Sequence, residues 1–329
     1  MIEHLEPSDF FSKREDEKKL GEELIWLNHN WLESLQSPNI KCIIIGIIED
    51  FGPRANLGNP GASNFFEACL AKYASMQSND YLQANGVAVL GKINFTENFK
   101  EIPHKPYNLE DLRELVGKMD EQLGRLLAPI YKAGKIPIFI GGGHNNAYPL
   151  IKNAAIQSHE ALQVFNLDAH ADYRITKEGR HSGNSFSMAA EQGFLNHYAV
   201  LGLHKNYNSQ EMLARMEAQK VQALFLEDLQ EEENPVAFAK SWIQVKKHSK
   251  YAIGIDLDID SIENLNSSAR SPYGFKLTEA RKILTYLAGL SRISYFNLTE
   301  GINDKDAQTA KAAAYLLGDF INAKLNGPN

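Results

Sequence analysis

The sequence predicts an α/β protein, a three-layer α-β-α arrangement around a largely parallel sheet of about eight strands. Three observations lead there. Short runs rich in Ile, Val and Phe alternate with longer stretches whose apolar residues recur at helical spacing. The first run, Ile40–Ile48, is β-branched on both faces, as in a strand covered on both sides. Three runs end in polar, ligand-type residues, and in open parallel sheets binding sites collect at that carboxyl edge. A closed barrel of eight βα units fits the same count and is the alternative.

Composition narrows the function. The chain has 329 residues, 43% of them hydrophobic and 23% charged, an ordinary globular balance. A formal net charge of -7 without a long basic block argues against nucleic acid as a partner. Cys42 and Cys69 sit in apolar surroundings and make no disulfide framework. The N-terminus lacks the basic-then-apolar pattern of a signal peptide. No stretch is apolar over the roughly 18 residues that suggest a membrane span. A cytoplasmic enzyme acting on a small molecule, with no membrane partner, is expected.

In chain order, residues 1–36 form an N-terminal extension, read as an amphipathic helix over about Lys13–Leu35, and residues 37–329 a single α/β domain. After the strand Ile40–Ile48, the Gly- and Pro-rich segment Glu49–Ala62 reads as an ordered, non-helical loop on the active-site face. A helix Phe65–Met76, a strand Gly86–Leu90 and an irregular stretch Gly91–Lys105 follow. Leu109–Gly134 is strongly helical, with Leu112, Leu115, Met119, Leu123, Leu126 and Leu127 as its apolar stripe and Gly134 placed to end it. Further strands are expected at Ile136–Ile140, Val164–Leu167, Val200–Leu203, Ala223–Leu226, Tyr251–Ile255 and Ile293–Leu298. Helices are expected at Asn146–Ser158, Gln210–Gln219, Val236–His248, Leu277–Leu290 and Asp306–Lys324. No repeat, heptad array or linker divides the chain.

The ligand-type residues lie just past three of these strands. Asp168, His170 and Asp172 alternate, and alternate residues of an extended segment face one side. Asp256 and Asp258 repeat the pattern, and His144 follows Gly141-Gly142-Gly143. Those glycines precede neither GK[ST] nor a GxGxxG arrangement, so they are read as room for close backbone approach and not as a phosphate loop. Four carboxylates and two imidazoles are too many ligands for one divalent cation and suit two; the carboxylate majority favours Mn²⁺ over Zn²⁺. Such a pair makes hydroxide available at neutral pH, so no protein nucleophile is required. Asp260 is read as a supporting or capping aspartate. Glu300, past the last strand, is placed to accept from a cationic amidine or relay a proton. His181 and His204 are candidate proton carriers.

These motifs resemble the arginase/agmatinase/formimidoylglutamase family, the ureohydrolases, over roughly Ile43–Phe320. Gly58-Asn59-Pro60-Gly61-Ala62 is similar to a glycine loop of that family. Gly141-Gly142-Gly143-His144 resembles its GGDH, Asp168-Ala169-His170-Ala171-Asp172 its DAHxD, and Asp256-Leu257-Asp258 the DxD of its SxDxDxxDP. The resemblance implies a three-layer α/β fold and two Mn²⁺ per chain, held by His144, Asp168, His170, Asp172, Asp256 and Asp258. It further implies hydrolysis of a guanidino or formimino C–N bond, Glu300 at the substrate's amidine, and a homo-oligomer.

The departures concern the substrate. Gly143 stands where GGDH has aspartate, and Asp260-Ser261 replaces the usual spacing to a DP pair. Ser182-Gly183-Asn184 is followed by Ser185-Phe186 and not by the Leu-His of arginases, so their proton-shuttle histidine is missing. Arg174 stands where arginases have asparagine. These changes resemble formimidoylglutamase more than arginase. N-formimidoyl-L-glutamate carries net charge -1, so cationic groups around the site are expected, and Arg174, Arg180, Asn184 and Lys205 are the candidate substrate contacts, with Glu300 and His181 serving proton transfer. The alternatives are a urea-releasing arginase or agmatinase, and a metal-containing scaffold without activity.

Overall fold

The computed structural model describes residues 2–98, 108–248 and 250–326. Ten strands occur among them: β1 (Ile2–Glu3), β2 (Ile25–Trp26), β3 (Cys42–Ile48), β4 (Val87–Asn94), β5 (Ile136–Ile140), β6 (Leu162–Leu167), β7 (Leu195–Leu203), β8 (Gln222–Phe225), β9 (Ile253–Asp258) and β10 (Ile293–Thr299). They form one open sheet in the order β1-β4-β3-β5-β10-β9-β6-β7-β8, with β2 also on β4. Every pairing is parallel except β1 with β4. The sheet ends at β1 and β2 on one side and at β8 on the other without closing, which excludes the barrel.

Strand periodicity divides the core in two. Cys42 and Ile44 pack on one side of β3, and Ile43, Ile45 and Ile47 on the other. The first face is covered by the helices Phe65–Ala74, Pro235–Lys246, Leu277–Ala288 and Gln308–Asn326. The second is covered by Leu109–Lys132, Ala147–Ser158, Ser185–Glu191 and Gln210–Ala218. The result is the expected three layers. The long helix Leu109–Lys132 is capped by Asn108, whose side chain accepts from the Asp111 N–H. It ends before Gly134, which takes left-handed backbone at φ 69°. Cys42 and Cys69 are buried free thiols.

The N-terminal extension is not the expected helix. The short strands β1 and β2, two 3-10 turns at Pro7–Asp9 and Leu20–Glu22, and the short helix Trp31–Ser34 replace it. Its apolar residues cover the edge of β4, where Ile25 and Trp26 pair with Ala88 and Val89, and the Leu27 N–H donates to the Val89 carbonyl. The unpaired amides of a sheet edge reward pairing more than a stretch broken by Gly21, Asn28 and Asn30 rewards a helix. Two other expectations shift. The segment after β3 contains a short helix, Phe51–Ala55. β4 continues through Asn94 into a turn of helix at Phe95–Asn98, where an irregular stretch was expected; residues 99–105 of that stretch lie outside the described ones. No helix of the described residues is long and apolar enough to cross a membrane.

Candidate metal centre

Topology brings distant residues to one crevice. β3 and β4 run to one edge, β6, β7 and β8 to the other, and β9 and β10 fill the gap between β5 and β6. Loops leaving neighbouring strands in opposite directions open a crevice at the carboxyl edge. His144 follows β5, Asp168–Asp172 follow β6, Asp258 ends β9 with Asp260 in the turn just past it, and Glu300 follows β10.

The side chains converge as two sets sharing one carboxylate. His144 Nδ1 lies 3.1 Å from Asp168 Oδ2, 3.1 Å from Asp172 Oδ2 and 3.3 Å from Asp258 Oδ2. His170 Nδ1 lies 2.9 Å from Asp260 Oδ2 and 3.7 Å from Asp168 Oδ1. Asp168 thus turns one oxygen to each set, the position of a bridging ligand. Burial raises the carboxyls of Asp172 and Asp258, and neighbouring carboxylates add to it. Burial also works against Asp168, but His144 and His170 hold it below the usual carboxylate range. His144 Nδ1 and Asp260 Oδ1 are buried without a hydrogen-bond partner. Buried anions and unpartnered ring nitrogens are costly unless a cation joins them. The donor set therefore fits two divalent cations. Asp172 and Glu300 also hold left-handed backbone, at φ 46° and 61°, so local strain is concentrated here.

The structure changes several expected roles. Asp256 lies behind the centre: its carboxylate accepts from Tyr295 Oη at 2.6 Å and Asn297 Nδ2 at 2.8 Å. Asp260, expected to be a supporting residue, joins Asp168 and His170 instead. The strand ends at Asp258 and a 3-10 turn follows, so the aspartates that line the cavity are Asp258 and Asp260, two residues on from the expected pair.

Arg180 is not free for substrate. Its guanidinium is paired with Asp120 at 2.6 Å and bonded to the Asn184 Oδ1, the Asn145 carbonyl and the His181 carbonyl. Asn184 is buried and spent on Arg180, the His181 N–H and the Gly179 carbonyl. His181 is sealed inside, its Nδ1 accepting from the Gly183 N–H. Burial and the nearby Arg113, Arg180 and Arg174 push it down to about 3, so near neutral pH the ring is uncharged, with its one proton on Nε2. Lys205 is paired with Asp228 away from the cavity. His204 is buried against Tyr207.

Arg174 and Glu300 do face the cavity, which measures about 210 Å³. Glu300 accepts from the His144 N–H at 2.9 Å and from Ser268 Oγ at 2.5 Å, and burial pushes its carboxyl up to about 8. Pro53, Asn56 and Gly58 of the segment after β3 also line it, as its expected placement on this face required.

Sequence reasoning missed three contributors. Glu49 is buried and clamps the glycine loop, accepting from the Gly52 and Gly143 N–H groups and from Asn146 Nδ2. A charged residue ending an apolar strand was its only signal. Tyr207 stacks on His170 with ring centroids 5.1 Å apart, and Ser268 holds Glu300; neither stands in a motif.

A paired imidazole–carboxylate centre at the carboxyl edge of this sheet defines a metal-dependent hydrolase. Residues 41–322 match the profile of the Arginase family, and the chain belongs to that family. It is a hydrolase of linear amidine or guanidine C–N bonds. The formimidoylglutamase of Geobacillus thermodenitrificans is 25% identical over 287 residues, covering 84% of this chain and 83% of the relative. That of Hahella chejuensis is 30% identical over 224 residues, covering 61% and 67%. The crystal structure of Bacillus subtilis formimidoylglutamase aligns with a TM-score of 0.76 at 18% identity, over 97% of this chain and 96% of that one. Trypanosoma cruzi formiminoglutamase with Mn²⁺ aligns at 0.74 and 17% identity, over 95% and 100%. The two solved structures share the fold.

Proposed function

We propose that the chain hydrolyses N-formimidoyl-L-glutamate to L-glutamate and formamide, as a step of histidine breakdown, with two Mn²⁺ ions in the centre. His144, Asp168, Asp172 and Asp258 would hold one, and Asp168, His170, Asp258 and Asp260 the other. Their carboxylate majority favours Mn²⁺. Bound there, such cations activate water at neutral pH and offset the charge that builds on the attacked group. A homo-oligomeric, cytoplasmic enzyme is part of this reading.

The observation that carries the substrate is Arg174. It stands exposed on the cavity wall, and no ion pair engages it among the described residues. Asn56 joins it: a Cβ on Gly183 would lie 2.8 Å from Asn56 Nδ2 and 3.1 Å from Arg174 Cδ, so both side chains converge over a bare backbone. A guanidinium beside an amide suits a carboxylate, which Arg174 can grip bidentately. Ser182, on the same wall, is a neutral donor for the second carboxylate. Across the cavity, Glu300 accepts from the formimino N–H groups. Water adds to the formimino carbon, the bond to the glutamate nitrogen breaks, and Glu300 passes the proton to that nitrogen. The curated relatives named above, formimidoylglutamases, support the same substrate.

The test compares kcat/KM of the Mn²⁺-loaded enzyme for formimidoylglutamate, arginine, agmatine and guanidinobutyrate. Formimidoylglutamate should lead. Arginine or agmatine in first place overturns the substrate and leaves the hydrolase intact. Absence of turnover on all four favours the inactive scaffold.

A further inference from the structure

Three aspartates alternate across the end of β9 and the turn after it, but Asp256 alone stays outside the cavity that Asp258 and Asp260 line. It is fully buried one layer beneath. Both of its partners, Tyr295 and Asn297, stand on the neighbouring strand β10, with Asn297 directly opposite it in the register. A buried carboxylate tied down in this way has a job to do or a cost to bear.

The same Oδ1 that accepts from Asn297 lies 3.6 Å from His144 Nε2. That is too long for a hydrogen bond and short enough for strong attraction in a dry interior. The other nitrogen of that ring, Nδ1, faces Asp168, Asp172 and Asp258. A neutral ring that gives Nδ1 to a cation carries its proton on Nε2. Nε2 is buried and has no hydrogen-bond partner among the described residues, and Phe186, edge-on at 5.1 Å, offers no acceptor. Asp256 is the carboxylate that Nε2 faces.

We infer that Asp256, held by Tyr295 and Asn297, is a positioning residue for His144: it fixes the ring with Nδ1 toward the cation and strengthens that nitrogen as a donor. The inference rests on the metal-hydrolase reading above. Carboxylates behind ligating histidines typically change metal affinity 10- to 100-fold.

Asp256→Asn keeps the shape and removes the charge. Metal-stripped full-length protein is titrated with Mn²⁺ alone, and free Mn²⁺ is followed by EPR, which needs no turnover. His144→Asn and His170→Asn, each lacking one donor, assign the two affinities. Asp256→Asn should still bind two ions at saturation, the His144-side ion about 10- to 100-fold more weakly and the His170-side ion unchanged. Tyr295→Phe should show the same selective loss to a smaller degree, and it decides the matter if Asp256→Asn does not fold. Equal weakening of both ions, or of neither, overturns the inference. A fall to one ion at saturating Mn²⁺ overturns it differently, by making Asp256 a ligand. If the wild-type chain binds no Mn²⁺, the metal-hydrolase reading fails first.

Discussion

Arg174 and Arg180 share a loop and do opposite things. Arg180 is a buried bolt, and removing it leaves the Asp120 carboxyl, already raised by burial, without its cation. Arg180→Ala should therefore cost about 3–5 kcal/mol of stability, read as a lower denaturation midpoint. Arg174→Ala should leave that midpoint within about 0.5 kcal/mol. It should instead lower kcat/KM for formimidoylglutamate by about 2–3 kcal/mol of transition-state binding. Unaltered turnover of that substrate would sink the carboxylate clamp.

His181 supplies a third test at this scale. Its folded value is depressed from 6.5 to about 3. The unfolded chain therefore binds the extra proton first, and stability is lost as pH falls below about 6.5 toward about 3. His181→Gln keeps an acceptor for the Gly183 N–H and should flatten part of that loss in urea titrations across this range. The neutral limb of the pH–rate profile should not move. Nothing near His181 in the chain announces this burial. The residues that seal Arg180, Asn184 and His181 include Asp120, on a helix made long before them, so a loop rich in polar residues read as a substrate contact. Ligands at strand ends were legible because the apolar run before them sets their phase. Asp256, Asp258 and Asp260 share one phase, and only the point where the strand breaks tells them apart.

At the scale of elements, strands and helices were legible where burial on both sides or one apolar stripe imposes a period. The extension before β3 was not, because its helical spacing yields to the edge of β4. Deleting residues 1–27 should strip β1 and β2 and bare the amides of β4. Light scattering during mild heating should then rise earlier than for the full chain. The glycine loop gives an equally concrete expectation. A Cβ at Gly143 would lie 2.4 Å from Pro53 Cδ and 2.5 Å from Asn145 Oδ1. Gly143→Asp, which restores the family's GGDH, should destabilise this chain by about 1–3 kcal/mol and lower activity. The carboxylate Glu49 already occupies that neighbourhood.

The whole molecule carries a formal charge of -7, and in the proposed reading two divalent cations offset four of those negative charges where they crowd most. Chelation should lower the melting temperature, and Mn²⁺ at about a hundredfold above its dissociation constant should return about 2.7 kcal/mol for each site filled. Ca²⁺, larger and seeking more oxygens, should restore less.

The strand order also sets a timetable for synthesis. β9 and β10 lie between β5 and β6 yet leave the ribosome last. Until they emerge, β4-β3-β5 and β6-β7-β8 can form only as two halves, each with a raw inner edge where the finished molecule keeps its centre. In the proposed reading the cations cannot be acquired by stages, since the last two strands join the halves and complete both donor sets in one event. A nascent chain arrested near residue 250 should be cut rapidly by protease and retain no Mn²⁺, whereas one extended past the C-terminal helix should resist and retain it. Translation speed over the final quarter of the message then becomes a determinant of yield, since every pause there prolongs the life of two sticky half-sheets.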